Sequence, residues 1–173
     1  MLIQTLLKEI PFFWDFSEGE CTALTTAESF FITYQDGEYL ITEGDADENL
    51  FVILKGEANV VGSSEPDQVI ATLQPGAVVG EVSFLTKRKR TTNIIASGEV
   101  IVFRIDSYSM NRERLDLALQ TKIKNQLIEI LVQRLEATNK ALGIQKKSNF
   151  ALSKALREQV LAARSNVSKD SVY

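Results

Sequence analysis

The sequence predicts an α+β domain, in which an antiparallel β jelly-roll or barrel is followed by a long helix. Turn-forming residues are concentrated early in the 173-residue chain: all three prolines and eight of the nine glycines lie at or before Gly98. The first part contains short β-prone runs between turn signals, whereas the second has apolar residues at helical spacing. This pattern favours a closed sheet followed by a helix over alternating βα units.

Eight short runs carry the β pattern. Each is rich in aliphatic, β-branched or aromatic residues and is bounded by turn signals such as Lys55-Gly56 and Ser97-Gly98. Before them, Ser17-Glu18-Gly19-Glu20 is a capping box that predicts a short helix to about Thr25. The predicted strands are Phe30–Tyr34, Tyr39–Thr42, Leu50–Leu54, Ala58–Val61, Val69–Leu73, Ala77–Val79, Thr92–Ala96 and Val100–Ile105.

Apolar residues at three- and four-residue steps predict a long helix from about Ser107. A helix that packs on its own domain shows such a stripe, and so does the seam of a helical dimer; one helix can do both. The predicted divisions are 1–106 for the β-roll, 107–142 for the long helix and 143–173 for a basic helical tail. The residues with heptad-like spacing, one of them polar, are Ile128, Leu131, Leu135, Thr138 and Leu142.

Composition excludes several classes of enzyme. The chain has no histidine and a single cysteine, Cys21. There is therefore no Ser-His or Cys-His nucleophile pair, no imidazole metal cluster and no histidine general base. A lone cysteine cannot form an internal disulfide, and no run approaches the ~20 apolar residues of a membrane span. We expect a soluble cytoplasmic protein with no membrane contact, metal, cofactor or catalytic residue.

Charge is distributed unevenly around the formal net value of −4. The residues after Gly143 include six basic and two acidic side chains, a net charge of +4, so the first 143 residues carry −8. An acidic body argues against a general nucleic-acid surface, and we interpret the tail as a surface helix. The acidic run Asp45–Asn49 is interpreted as a polar loop, because Leu50 occupies the position at which a calcium loop needs glycine.

One segment departs from the alternation of strands and turns. Gly80 precedes a single helical turn, Glu81–Leu85, so that the backbone can approach a ligand and the first N–H groups can bind an anion. Arg90 adds a planar guanidinium suited to phosphate oxygens. Glu81 would repel phosphate and is better suited to accepting a hydrogen bond from a sugar hydroxyl. These residues predict a ligand with one phosphate and a nearby hydroxyl.

The run Gly80-Glu81-Val82-Ser83-Phe84, followed after a spacer by Arg90, resembles the phosphate-binding cassette of cyclic-nucleotide-binding domains. That family includes the catabolite activator protein and the regulatory subunits of protein kinase A. The resemblance covers about residues 6–142 and implies an eight-stranded antiparallel jelly-roll with short N-terminal helices, a cassette helix turn and a long C-terminal helix. It implies cAMP or cGMP as ligand. The other family-like segments are Asp36–Ile41, Glu43–Asp45, Leu50–Gly56 and Leu73–Gly76.

The resemblance also implies roles for the cassette residues. Glu81 would accept a hydrogen bond from the ribose 2′-hydroxyl, and Arg90 would bind the exocyclic phosphate oxygens. Thr92 lies where the family usually has alanine, and the spacer 86–89 is unusually basic, so the pocket either tolerates these departures or accepts a larger phosphate. The other residues expected around the phosphate are Gly80, Thr92 and, through their N–H groups, Val82, Ser83 and Thr91.

In the family the long helix is both a lid over the base and the dimer interface. Thr138 and Asn139 lie where bacterial activators place polar base contacts. The resemblance therefore implies a homodimer through the long helix, which changes position when the nucleotide binds. A hydroxyl at Thr91 is associated with guanine, but some adenine-preferring members share it, so the base stays open.

Other functions remain open beside this one. Bacterial activators continue into a DNA-reading helix-turn-helix domain, whereas only 31 residues follow Leu142. We therefore expect signalling to a partner protein or a fused domain, not DNA binding, unless the chain is a fragment of, or a partner in, such a transcription regulator. A degenerate pocket would leave a dimerisation module. A phosphodiesterase with Glu81 as base is disfavoured, because no histidines or second carboxylate cluster could hold a metal.

Overall fold

Short helices precede the sheet in the computed structural model, which describes residues 2–26, 30–62, 68–111 and 115–167. Helix α1 spans Leu2–Glu9, a 3₁₀ turn spans Pro11–Phe13, and α2 spans Glu18–Thr26. The predicted capping box is confirmed. The Ser17 N–H donates to the Glu20 carboxylate at 2.7 Å, and the Glu20 N–H donates to Ser17 Oγ at 3.3 Å.

Among the described residues, six antiparallel strands form one sheet. The two long strands, β3 and β6, pair with each other; β1 and β2 pair with β6, and β4 and β5 pair with β3. This arrangement confirms the predicted antiparallel jelly-roll-like fold. The strand bounds are β1 Phe31–Tyr34, β2 Tyr39–Ile41, β3 Asn49–Val61, β4 Val69–Leu73, β5 Val78–Val79 and β6 Asn93–Asp106.

Two pairs of predicted strands are continuous, which is why eight runs become six strands. Lys55-Gly56 lies inside β3 and Ser97-Gly98 inside β6. The pairing register shifts on either side of Lys55. Gly56 has a φ of +81°, and a Cβ there would lie 2.2 Å from the Glu99 carbonyl oxygen. The glycine therefore serves a bulge at a close backbone approach and not a reversal of the chain.

The core inside the roll extends to the predicted cassette. Val79 is its last residue before Gly80, and the Phe51 ring lies 5.9 Å from the Arg90 guanidinium carbon. Full burial of an aliphatic side chain contributes about 1.5–3 kcal/mol, so this cluster gives the cassette a rigid support. Its buried members are Leu40, Ile41, Phe51, Ile53, Ala58, Val79, Ile94, Ala96, Val100 and Val102.

Three helices lie at or after the cassette: α3 Glu81–Thr86, α4 Ser107–Asn111 and α5 Leu117–Val167. The predicted long helix is thus present, and it is preceded by the short α4. The chain divides into two compact units, Met1–Leu127 and Ile128–Tyr173. None of the helices in the described ranges is long and apolar enough to cross a membrane.

Within the first unit, the beginning of α5 is bonded to the first turn of α2 and to the loop before it. Lys122 Nζ donates to the Glu20 carboxylate at 2.6 Å and to the Asp15 carbonyl oxygen at 2.9 Å. The Gln126 side-chain amide donates to the Asp15 carboxylate at 2.8 Å. The residues that directly follow these two donors in the helix, Ile123 and Leu127, are fully buried. Polar and apolar contacts together therefore fix this part of α5 within the first unit.

In the second unit, α5 exposes apolar side chains of the predicted dimer seam. Ile128, Leu135 and Leu142 are 57%, 61% and 49% exposed. They belong to the heptad-like series identified in the sequence. Their covering by a second copy of the chain stays a prediction.

Candidate functional site

The cassette begins where β5 ends. Gly80 follows Val79 directly, has a φ of +83° and precedes the first residue of α3. A Cβ at this position would lie 2.5 Å from both Arg90 Nη1 and the Asn49 carbonyl oxygen. Glycine is therefore required twice here, for the left-handed backbone and for the close approach of the arginine.

The side chains of α3 divide between the interior and the solvent. Glu81 and Ser83 are buried, with 8% and 3% exposure, whereas Val82 is 43% exposed. The helix ends at Lys87, which has a φ of +58° and whose N–H donates to the Ser83 carbonyl oxygen at 2.8 Å. The carboxylate predicted to bind a sugar hydroxyl therefore lies on the interior side of the turn.

Arg90 is held by several acceptors at once, and only 2% of its side chain is exposed. Its Nε donates to Asp47 Oδ2 at 2.9 Å, and its Nη2 donates to Asp47 Oδ1, which makes a two-point ion pair. Nη2 also donates to the Asn49 carbonyl oxygen at 2.6 Å, and Nη1 donates to the Gly80 carbonyl oxygen at 3.2 Å. These bonds account for four of the five guanidinium N–H groups.

Asp47 is the site residue that the sequence analysis missed. The sequence places it in a polar loop, and its partner Arg90 lies 43 positions further along the chain. The available signal was a run of carboxylates directly before a strongly apolar strand, together with an arginine in a cassette that needs an orienting acceptor. Burial by itself raises the pKa of Asp47, but hydrogen bonds from Arg90 and Asn49 outweigh burial and hold the pKa below its ordinary value.

The ion pair predicts an acid-dependent stability. Because the pKa of Asp47 is lower in the folded than in the unfolded chain, its charge stabilises the fold above about pH 4. This stabilisation is lost as the pH falls through the lowered value. We expect Asp47→Asn to lower the free energy of unfolding by about 1–3 kcal/mol near neutral pH. This difference from the unmodified chain should shrink towards about pH 3.

Urea unfolding across that pH range measures the effect. Glu43→Gln is the matched control, since Glu43 is an exposed carboxylate in the same loop region. A deficit of Asp47→Asn that is the same at neutral and acid pH would show that the charge of Asp47 is not what stabilises the fold.

The two residues that follow Arg90 lie directly before β6. Thr91 is exposed and Thr92 is half-buried. The Thr92 hydroxyl lies 3.3 Å from the Val61 carbonyl oxygen, to which it donates. The hydroxyl that replaces the usual alanine thus has an acceptor inside the sheet. The backbone of Arg90 is also fixed: its N–H donates to the Asp45 carbonyl oxygen at 2.8 Å, and its carbonyl accepts from the Gly44 N–H at 2.9 Å.

The nine predicted ligand residues fall into two groups. Seven lie between Gly80 and Thr92 in the first unit, where Arg90 contacts Gly80. Thr138 and Asn139 lie at exposed positions of α5 in the second unit, and the Thr138 hydroxyl donates to the Arg134 carbonyl oxygen at 2.8 Å. Their contact with a base stays a prediction. In the part of the chain that the structure describes, no three Cys, Asp or Glu side chains are grouped to hold a metal ion.

A comparison with known families decides the identity of this roll and cassette. Residues 31–113 match the family model of the cyclic nucleotide-binding domain. These residues form a cyclic nucleotide-binding domain. The resemblance predicted from the cassette residues is thereby confirmed. A domain of this family is a binding and regulatory module.

Relatives of this cyclic nucleotide-binding domain occur in channels and kinases. The dog cyclic nucleotide-gated channel beta-3 is 35% identical over 80 residues, which are 44% of this chain and 10% of the channel. The human cGMP-dependent protein kinase 2 is 28% identical over 142 residues, 80% of this chain and 18% of the kinase. The chain thus spans less than a fifth of the length of either curated relative.

A solved cyclic nucleotide-binding domain from Methylobacillus flagellatus has a similar fold. It is 26% identical, superposes with a TM-score of 0.60, and the match covers 78% of this chain and 77% of that one.

Proposed function

We propose that the domain binds cAMP or cGMP at the cassette and that binding changes the position of α5, which signals to a partner protein or a fused domain in the cytoplasm. The observation that carries this proposal is the geometry of Arg90. Its buried guanidinium is fixed by Asp47, Gly80 and Asn49 close to the first N–H groups of α3. The relatives of this chain support the ligand class, since one is a cyclic nucleotide-gated channel and another is a cGMP-dependent protein kinase.

In this assignment, the cyclic phosphate accepts from the fifth N–H of Arg90 and from the N–H groups of Val82, Ser83 and Thr91. Asp47 offsets most of the charge of the guanidinium, so the phosphate would be held here mainly by directed hydrogen bonds, and a ligand with one negative charge would be repelled by Asp47 less than one with two. Glu81 accepts from the ribose 2′-hydroxyl. Asp47 acts as a positioning residue, because it fixes the plane of the guanidinium before any ligand arrives.

For the base and the dimer, the proposal places Thr138 and Asn139 in contact with the purine and a second copy of the chain on the apolar stripe of α5. The exposure of Ile128, Leu135 and Leu142 supports the second part, since such a repeated stripe gains free energy when a partner helix covers it. A ligand can shift α5 only through contacts that differ between two helix positions. Contacts made by α5 residues are of that kind, whereas those of Glu81 and Arg90 anchor the ligand.

Calorimetric titration with cAMP, cGMP and 5′-AMP tests the proposal. We expect at least one cyclic nucleotide to bind and 5′-AMP to bind roughly 100-fold more weakly, because its second negative charge would face Asp47. At about 100 times its dissociation constant, the true ligand should also add about 2.7 kcal/mol to the free energy of unfolding. Failure of both cyclic nucleotides to bind would overturn the proposal in favour of a dimerisation module without a ligand.

A further inference from the structure

The cassette has an outer surface that the nucleotide contacts proposed above leave unused. Two apolar side chains of α3, Val82 and Leu85, are 43% and 45% exposed. They are three residues apart and therefore neighbours on one side of the helix. The next residues after the helix, Lys87, Arg88 and Lys89, are all exposed cations. We call these five residues the cassette patch.

Lys87 occupies a position that glycine would fill with less conformational strain. Its φ of +58° lies in the left-handed region, and the residue closes α3 in the way that helix-ending glycines do. Its side chain is 75% exposed, and its Nζ is 3.9 Å from the carboxylate of the half-buried Glu48, a long ion pair with one solvated partner that stabilises the fold little. A strained backbone that carries an exposed cation indicates a use for that cation outside the fold.

The positive charge of the patch contrasts with its surroundings. Between Lys8 and Lys55 the sequence has eleven acidic residues and no basic one. Part of this acidic stretch borders the patch, because Lys87 faces Glu48 and the Gly44 N–H donates to the Arg90 carbonyl oxygen. An extended anionic surface such as a bilayer would meet these carboxylates within a Debye length of about 8–10 Å and be repelled. A compact anionic segment can contact the three cations alone.

We propose that the cassette patch docks an acidic segment of a partner protein. Carboxylates of the segment would contact Lys87, Arg88 and Lys89, and apolar side chains between them would cover Val82 and Leu85. A coupling between partner and nucleotide follows if the proposed nucleotide function holds. In that function the N–H groups at the beginning of α3 bind the phosphate, so nucleotide and partner bind the same short helix. Their affinities are then coupled, and each changes the other by the same factor.

The test uses the full chain and a short fluorescein-labelled peptide that carries glutamates and leucines on the same face. Fluorescence anisotropy at low salt should show saturable binding, and a peptide with glutamine in place of glutamate should not bind. Lys87→Gln/Arg88→Gln/Lys89→Gln and Leu85→Ser should each weaken binding roughly 10-fold. The control Lys55→Gln/Lys124→Gln/Lys140→Gln removes the same charge at exposed positions and should bind like the unmodified chain.

Calorimetry with cAMP and cGMP on the same variants separates the two proposals. Loss of the peptide with nucleotide binding retained supports docking, and peptide binding by a chain that binds no nucleotide overturns only the nucleotide function. Loss of nucleotide binding in the triple patch variant would instead assign the basic run to the nucleotide pocket. Equal weakening in the control triple variant, stronger binding to phosphatidylserine vesicles, or self-association through the patch would each overturn the docking proposal.

Discussion

Arg90→Ala is expected to weaken the binding of cAMP or cGMP roughly 10–100-fold. A hydrogen bond from a charged group contributes about 1.5–3 kcal/mol, and the substitution removes the one that reaches the phosphate. It also removes the donor that Asp47, Gly80 and Asn49 share, so the cassette loses its connection to the beginning of β3. Calorimetric titration measures the affinity, and urea unfolding without ligand shows how much of the loss comes from the fold.

Two variants make this result specific. Arg88 is an exposed arginine two residues before Arg90. Arg88→Ala removes the same charge and should leave nucleotide affinity nearly unchanged. Arg90→Lys keeps the charge but not the planar fork, so it should fall between the two. Unchanged affinity in Arg90→Ala, or an equal loss in Arg88→Ala, would remove Arg90 from the phosphate site.

Gly80→Ala is expected to lower the free energy of unfolding by about 2–4 kcal/mol and to weaken nucleotide binding as well. The new Cβ would lie 2.5 Å from Arg90 Nη1 and from the Asn49 carbonyl oxygen, so the arginine or β3 must move. The positive φ adds the ordinary cost of a side chain in the left-handed region. Urea unfolding measures the first effect and calorimetry the second.

Gly98→Ala separates the two causes. Gly98 has a φ of +75°, but a Cβ there would have nothing within 4 Å. Its substitution should therefore cost only about 1–2 kcal/mol and leave nucleotide affinity intact. If the two glycine variants lost equal stability, the close approach of Arg90 to Gly80 would have no energetic role.

The bounds of helices and strands could be predicted where they depend on residues close together in the sequence. The capping box at Ser17 and the β-prone runs are local, and both match the structure closely. Gly56 and Gly98 misled the strand count, because a positive φ serves a bulge inside a strand as well as a turn between two strands. The pairing of β3 with β6 along most of their length decides whether a bulge or a turn forms. The two strands are far apart in the sequence, so a short stretch of residues cannot reveal that pairing.

The same limit applies to the candidate site. Gly80, Glu81 and Arg90 lie within eleven residues of one another, so their types and order pointed to phosphate and sugar recognition. Asp47 belongs to the same constellation, but its role exists only once the beginning of β3 lies beside the cassette. Backbone acceptors such as the Asn49 carbonyl group carry no sequence signal at all. A prediction from sequence therefore finds the groups that face the ligand more readily than those that orient them.

The bonds between Lys122, Gln126, Asp15 and Glu20 have a mechanical consequence. They connect the first turns of α5 to α2 and to the loop before it, and Lys122 Nζ also lies 5.8 Å from the Phe16 ring centroid. A displacement of these turns must carry the N-terminal helices along or break several charged contacts together. If α5 changes position as proposed, the N-terminal helices therefore move with its first turns relative to the strands of the roll.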